Sequence, residues 1–201
     1  MLKRKITANL LKLITGIILL SVLTCRAQDK NNLQVFYQLV DSSIVELTSL
    51  IPDTVRNINV DLEEGTYAVF NSQIISDLTG RGYKLVSGDN AFRLQYVVRE
   101  AVTSYGDMFR DGFLGNYLVP RTLSLSGSGN FSGNTVTTHN FKFTYQDTIA
   151  VDSINYFENQ AYSFTHGRLP SEPFFSSIFE PVIAVGTAAL AVILFFTIRS
   201  K

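Results

Sequence analysis

A chain of 201 residues, 46% hydrophobic, 12% aromatic and 17% charged, has the make-up of one ordinary folded domain with membrane segments, and is too short for two large domains. Lys+Arg and Asp+Glu both number 17 and are scattered, which excludes a charge-driven nucleic-acid binder. Cys25 is the only cysteine, so the chain after it has no disulfide, no thiol nucleophile and no thiolate metal ligand.

The chain begins Met-Leu-Lys-Arg-Lys, and an apolar stretch of twelve residues (13–24) leads to Cys25-Arg26-Ala27-Gln28. A basic start, a short apolar core and a small residue before a polar one are the parts of a secretory signal over 1–27, cleaved after Ala27. Twelve apolar residues are too few for a spanning helix, which needs about 20. Cys25 has two readings: a small residue at the −3 position, which the bulk of Thr24 favours, or an acylated cysteine. Both place residues 28–162 outside the cytoplasm, as a periplasmic domain.

Leu33, Phe36, Val40, Ile44, Leu47 and Ile51 recur at spacings of three and four, which predicts an amphipathic helix ending before Pro52. Asp41-Ser42-Ser43 is the place where it would be interrupted. Alternation over 58–62 predicts a strand, and Thr66 a helix N-cap. Tyr67, Phe70, Ile74 and Leu78, widened by Ile75, predict a second helix stopped by Gly80-Arg81-Gly82. Tyr83-Lys84-Leu85-Val86 reads as the next strand, so 56–86 is a strand–helix–strand unit with parallel strands.

In residues 39–86, Leu78-Thr79-Gly80-Arg81-Gly82-Tyr83-Lys84-Leu85-Val86 has the shape of a helix ending at glycine before a strand. This stretch resembles the opening module of bacterial envelope-assembly proteins, namely the curli-secretion lipoprotein CsgG and the flagellar outer-membrane FlgO group. The resemblance covers roughly a quarter of the chain. It implies a structural part of the envelope rather than an enzyme; the apolar C-terminal segment 181–198 departs from those lipid-anchored families.

After residue 90 the pattern turns to antiparallel strands. Phe92, Leu94, Tyr96 and Val98 alternate with Arg93, Gln95, Val97 and Arg99; Leu123 and Leu125 alternate with serines; Phe141, Phe143 and Tyr145 alternate with Lys142 and Thr144. The run SGSGNFSGN (126–134) reads as a hairpin connection, and 105–117 as a longer glycine-rich loop. On that loop Tyr105, Phe109, Phe113 and Tyr117 recur every four residues; exposed, they form a partner-binding patch, and packed on the sheet they are core. The expected class is α+β, with helices on one face of a mixed sheet.

Residues 163–180 read as linker and juxtamembrane segment. The stretch 181–198 (PVIAVGTAALAVILFFTI) has no charge and, at 1.5 Å per residue, covers ~27 Å, the span of a bilayer core. Arg199 and Lys201 in the tail 199–201 set a cytoplasmic C-terminus, in the inner membrane. Ala184, Gly186, Thr187, Ala188 and Ala191 are small enough for a helix–helix seam, and so for a homo-oligomer or a heteromer.

No catalytic or cofactor grouping assembles from the sequence. His139 and His166 have no partner at ligand spacing and read as solvated surface histidines; Gly127-Ser128-Gly129 lacks the strand-to-helix context of a nucleophile elbow; Asp107 and Asp111 read as solvated charges. The expected function is a membrane-anchored, non-enzymatic binding or assembly module whose partners are the membrane and other envelope proteins. The alternatives are a hydrolase with Ser, His and Asp scattered along the chain, and a periplasmic ligand sensor.

Overall fold

A computed structural model describes residues 30–62, 65–88, 91–112, 115–133, 135–169 and 174–199. The leader (1–27) with Cys25, the carboxylates at 63–64, Asp89, Phe113, Asn134 and Lys201 lie outside the described residues. The helices and strands of the described residues run from Asn32 onward.

Helix α1 (Asn32–Thr48) opens on a capping box: Asn31 Oδ1 accepts the Gln34 N–H at 2.8 Å and Gln34 Oε1 accepts the Asn31 N–H at 3.0 Å. Its buried face is Val35, Phe36, Leu39, Val40, Ser43, Ile44 and Leu47. Contrary to expectation, Asp41-Ser42-Ser43 does not interrupt it. Ser42 donates to Gln38 O (2.9 Å) and Ser43 to Val40 O (2.7 Å), so both hydroxyls bond within the helix. With its one proton engaged, Ser43 Oγ accepts from the buried Tyr96 hydroxyl at 2.7 Å, and burial raises Tyr96 well above the usual phenol range.

Strand β1 (Asn57–Leu62) is followed by α2 (Asn71–Gly80) and the two-residue β2 (Lys84–Leu85), which is shorter than the predicted 83–86 strand. β1 and β2 are parallel, as expected. Thr66 does not cap α2: the chain reverses at Gly65 (φ +98°), and a 3-10 turn over Ala68–Phe70 leads into the helix. Phe70, Ile74 and Leu78 are buried, whereas Ile75 is exposed and does not widen the face.

β3 (Phe92–Tyr105), β5 (Tyr117–Ser132) and β6 (Val136–Ala150) form the antiparallel body, with the short β4 (Phe109–Arg110) paired to the start of β5. β3 also runs parallel to β1, which makes a mixed sheet of order β2-β1-β3-β5-β6. The class is α+β. A bulge between Val98 and Glu100 changes the parity of β3, so Leu94, Tyr96 and Val98 face inward before it and Ala101, Thr103 and Tyr105 after it. α1 and α2 pack on this inward face; on the other, Arg93, Gln95, Lys142, Thr144 and Gln146 are exposed.

The SGSGNFSGN run corrects a further expectation, because β5 continues through it to Ser132 and the reversal comes only at Gly133. The glycines serve close approach rather than a turn. A Cβ on Gly127 would lie 2.3 Å from Val97 O and 2.6 Å from the Phe141 ring, and one on Gly129 would lie 2.6 Å from the Leu47 side chain.

One carboxylate on α2 carries a pH-dependent cost. Asp77 Oδ1 accepts from Gln73 Nε2 at 2.8 Å, while its other oxygen is buried with no partner among the described residues. Burial, helped by the charge of Asp41, raises the Asp77 carboxyl above its ordinary range against the lowering effects of Gln73 and Arg81. The folded state therefore favours the protonated acid, and stability falls as pH rises through the raised pKa. Asp77→Asn is expected to raise the melting temperature at about pH 7 and to lose that advantage towards about pH 4, read from thermal melts in detergent. An advantage independent of pH counts against it.

Candidate functional site

Sheet register sets three inward residues side by side at one end of the sheet: Tyr105 on β3, Arg121 on β5 and Asp147 on β6. Arg121 is fully buried. Its Nε donates to Asp147 Oδ1 at 2.8 Å, its Nη2 donates to Asp147 Oδ2, and its Nη1 donates to Asn32 Oδ1, at the start of α1, at 2.7 Å. The Phe157 ring centre, on the short helix α3 (Ile154–Phe157), stands 4.7 Å from the guanidinium carbon. Tyr145 donates to Asp147 Oδ2 at 3.2 Å. A planar guanidinium suits such a site, since its fork meets a carboxylate with two parallel bonds and its face stacks on a ring.

From Arg121 the network runs into the segment 158–167. Asn32 Nδ2 donates to Thr165 O at 2.7 Å, and Thr103 donates to Phe164 O at 2.9 Å. Tyr105 donates to Glu158 Oε1 at 3.1 Å, and the same oxygen accepts the Gly167 N–H at 3.0 Å. Burial above all, with the Glu158 charge adding, pushes the Tyr105 phenol up to about 12, so it stays a donor. Phe164 enters the core against Phe36 and Phe70, with ring centres 5.2 and 5.4 Å away. The stretch from residue 163, expected as linker, is thus docked through the 3-10 turn Ser163–Thr165, and the domain reaches at least Gly167. Phe164 supplies the apolar surface, and the carbonyls of Phe164 and Thr165 find donors in the sheet and in α1.

The predicted aromatics separate. Tyr105 is buried in this clasp, the network that fastens 158–167 to the sheet, with Val119, Ile149, Ile154 and Phe157. Phe109 is 45% exposed on β4, and Tyr117 is half-buried under the Arg110 guanidinium, 5.0 Å from its ring centre. The glycine-rich loop is a small hairpin in which Phe109 opposes Leu118 and Arg110 opposes Tyr117; Asp107 and Asp111 are exposed on it. His139 Nε2 is half-exposed and lies 2.5 Å from Glu46 Oε1. His166 Nε2 faces Asn159 O at 3.0 Å and its Nδ1 faces Glu158 Oε2 at 3.3 Å.

An open groove of about 700 Å³ is lined by Gly65, Thr66, Gln160, Ala161, Tyr162, Ser163 and His166. Ser163 and His166 share its wall with Glu158 behind, but the ring nitrogen that would take a proton from a serine is engaged by the Asn159 carbonyl. Among the described residues no three His, Cys, Asp or Glu side chains come together as metal ligands.

Helix α4 (Phe174–Arg199) contains the window Pro181–Ile198, with a mean hydropathy of 2.4 and none of it buried within the chain. It is a candidate span. Ala184, Gly186, Thr187, Ala188 and Ala191 are all uncovered, and Thr187 bonds back to Ile183 O at 2.9 Å.

Sequence parity carried a signal for Arg121 and Asp147. Extending the Leu123/Leu125 alternation back one step puts an arginine on the buried face, and extending Phe141/Phe143/Tyr145 forward puts an aspartate there. What binds them together is the register between two adjacent strands, which sets residues 26 positions apart in the chain opposite each other.

No protein-family model matches the chain, and no curated protein matches it. Among solved structures, the chain is similar to a minor lipoprotein from Acinetobacter baumannii, at 16% identity over 50% of this chain and 70% of that one, with a TM-score of 0.34. It is also similar to the rare lipoprotein B from Shewanella oneidensis, at 12% identity over 47% of this chain and 68% of that one, with a TM-score of 0.35.

Proposed function

We propose that this chain is a membrane-anchored binding or assembly module of a bacterial cell envelope, which holds partners in place rather than catalysing a reaction. One observation carries the reading: seven residues after Gly167, fastened to the domain, begins a helix whose apolar window has no residue buried within the chain. A bare helix of that length and hydropathy needs an apolar surrounding about 30 Å thick, which a bilayer supplies. The leader-like residues 1–27 and the basic residues Arg199 and Lys201 support a periplasmic domain and a cytoplasmic tail at the inner membrane. The resemblance of residues 39–86 to envelope-assembly modules supports the structural role. So does the Arg121 cluster, whose polar groups are engaged in fastening one chain segment to another. The small residues Ala184, Gly186, Thr187, Ala188 and Ala191 give a seam for a second copy or a membrane partner.

The test is in-cell crosslinking followed by purification of the full chain in mild detergent. Specific envelope proteins should be recovered in fixed proportion to it. A chain that resists alkaline carbonate extraction from membranes yet is recovered alone overturns the assembly role; one released by carbonate overturns the anchor.

A further inference from the structure

Beyond the anchor itself, and resting on it, we infer that one end of the domain lies on the bilayer surface, with Phe109, Tyr156 and Leu169 set into the lipid interface. The clasp fixes which end this is. Gly167 is bonded to Glu158 and packs so closely on Tyr105 that a Cβ would lie 2.6 Å from its ring, and Tyr105 is the last residue of β3. From Gly167 to Phe174 the chain advances seven residues, at full stretch about 25 Å. β6 alone has 15 residues, about 50 Å of strand, with Ala150 at the clasp end and Val136 at the other. The tether therefore holds the Tyr105–Arg121–Asp147 end within about 25 Å of the membrane, and a domain standing on that end carries Val136 away from it.

The surface of that end is what a lipid interface takes. Phe109 (45% exposed) lies four residues beyond Tyr105, Tyr156 (75%) adjoins the Phe157 that stacks on Arg121, and Leu169 (46%) begins the tether. Outside α4, Phe109 and Tyr156 are the exposed aromatic rings among the described residues, and both are at this end. Aromatic rings favour the headgroup level, where an apolar body and a polar edge are both accommodated. The exposed or partly exposed charges here are Arg110 and Arg168 against Asp107, Asp111, Asp147, Asp152 and Glu158, so no basic patch draws the end to anionic lipid. The occupant is the interface of a zwitterionic bilayer, and the contact is apolar.

The chain has no tryptophan, so any one introduced is a sole reporter. The full chain is reconstituted into phosphatidylcholine vesicles with or without lipid brominated near the headgroup end of its acyl chains. Phe109→Trp and Tyr156→Trp should lose emission about two-fold or more in brominated vesicles, with no dependence on added phosphatidylglycerol, while Val136→Trp is unchanged. Phe195→Trp, in the apolar window, reports the anchor separately. If Phe195→Trp is quenched and the other three behave alike and unquenched, the docking is wrong and the anchor stands. Blue-shifted but unquenched emission at 109 and 156 means that protein covers them, which also overturns it. No quenching at 195 overturns the anchor and the docking with it.

Discussion

Arg121→Met is expected to lower the stability of the domain by about 3–5 kcal/mol, the cost of removing one member of a buried ion pair. The penalty is not the loss of attraction alone. Asp147, whose side chain is 22% exposed, is left with Tyr145 but loses its guanidinium partner, and Asn32 Oδ1 loses a donor in a buried site. Asn32 also donates to Thr165 O, so the effect travels into the segment that leads to α4. A methionine fills part of the volume against Phe157 without supplying a donor. Arg121→Met with Asp147→Leu removes both charges and is expected to recover most of the loss, since a buried pair replaced by apolar residues of similar volume is often neutral. Urea denaturation of the full chain in detergent, followed by circular dichroism at unchanged slope, gives both numbers. A single variant within about 0.5 kcal/mol of the parent, or a double variant no better than the single, sinks the account.

Phe164→Ala should cost a further ~3–5 kcal/mol, as expected for a large aromatic removed from a packed site. Its ring touches Phe36, Phe70, Tyr67 and Tyr162, with centres between 5.2 and 5.7 Å away. The remaining bonds of the segment, from Thr103 and Asn32 to its carbonyls, would then have to hold it without apolar burial. Limited proteolysis of the full chain in micelles distinguishes this from a uniform loss of stability. The parent should be cut only beyond Gly167, and the variant also within 158–167, under conditions where both stay folded. Phe164→Leu should restore most of the protection at a cost below about 1.5 kcal/mol. An unchanged cleavage pattern in Phe164→Ala would mean that the segment is not docked by its phenylalanine.

Both experiments address residues that local patterns place poorly. The helical faces of α1 and α2 and the alternation of the long strands could be read directly, because side-chain period follows from backbone geometry within a few residues. The apolar run 181–198 was legible in the same way, since composition over eighteen residues decides it. The glycine- and serine-rich run 126–134 reads as a hairpin connection because those residue types favour turns locally. Only the approach of Leu47, Phe141 and the Val97 carbonyl shows that the missing side chains make room.

The same holds for the site. Sequence alone determined where the aromatics of 105–117 lie, but not that Tyr105 turns inward while Phe109 turns out. The inward turn of Tyr105 is decided by the bulge at Val98–Glu100, one residue that moves the end of β3 onto the opposite parity, while Phe109 belongs to the separate strand β4. Sequence likewise determined that a proline- and glycine-containing stretch precedes the apolar helix, whereas the docking of its first part depends on partners from α1 and β3, far away in the chain. Propensity is a property of neighbours along the chain. The burial of Arg121 and the hold on Phe164 are properties of neighbours across the sheet, and only the tertiary structure brings those together.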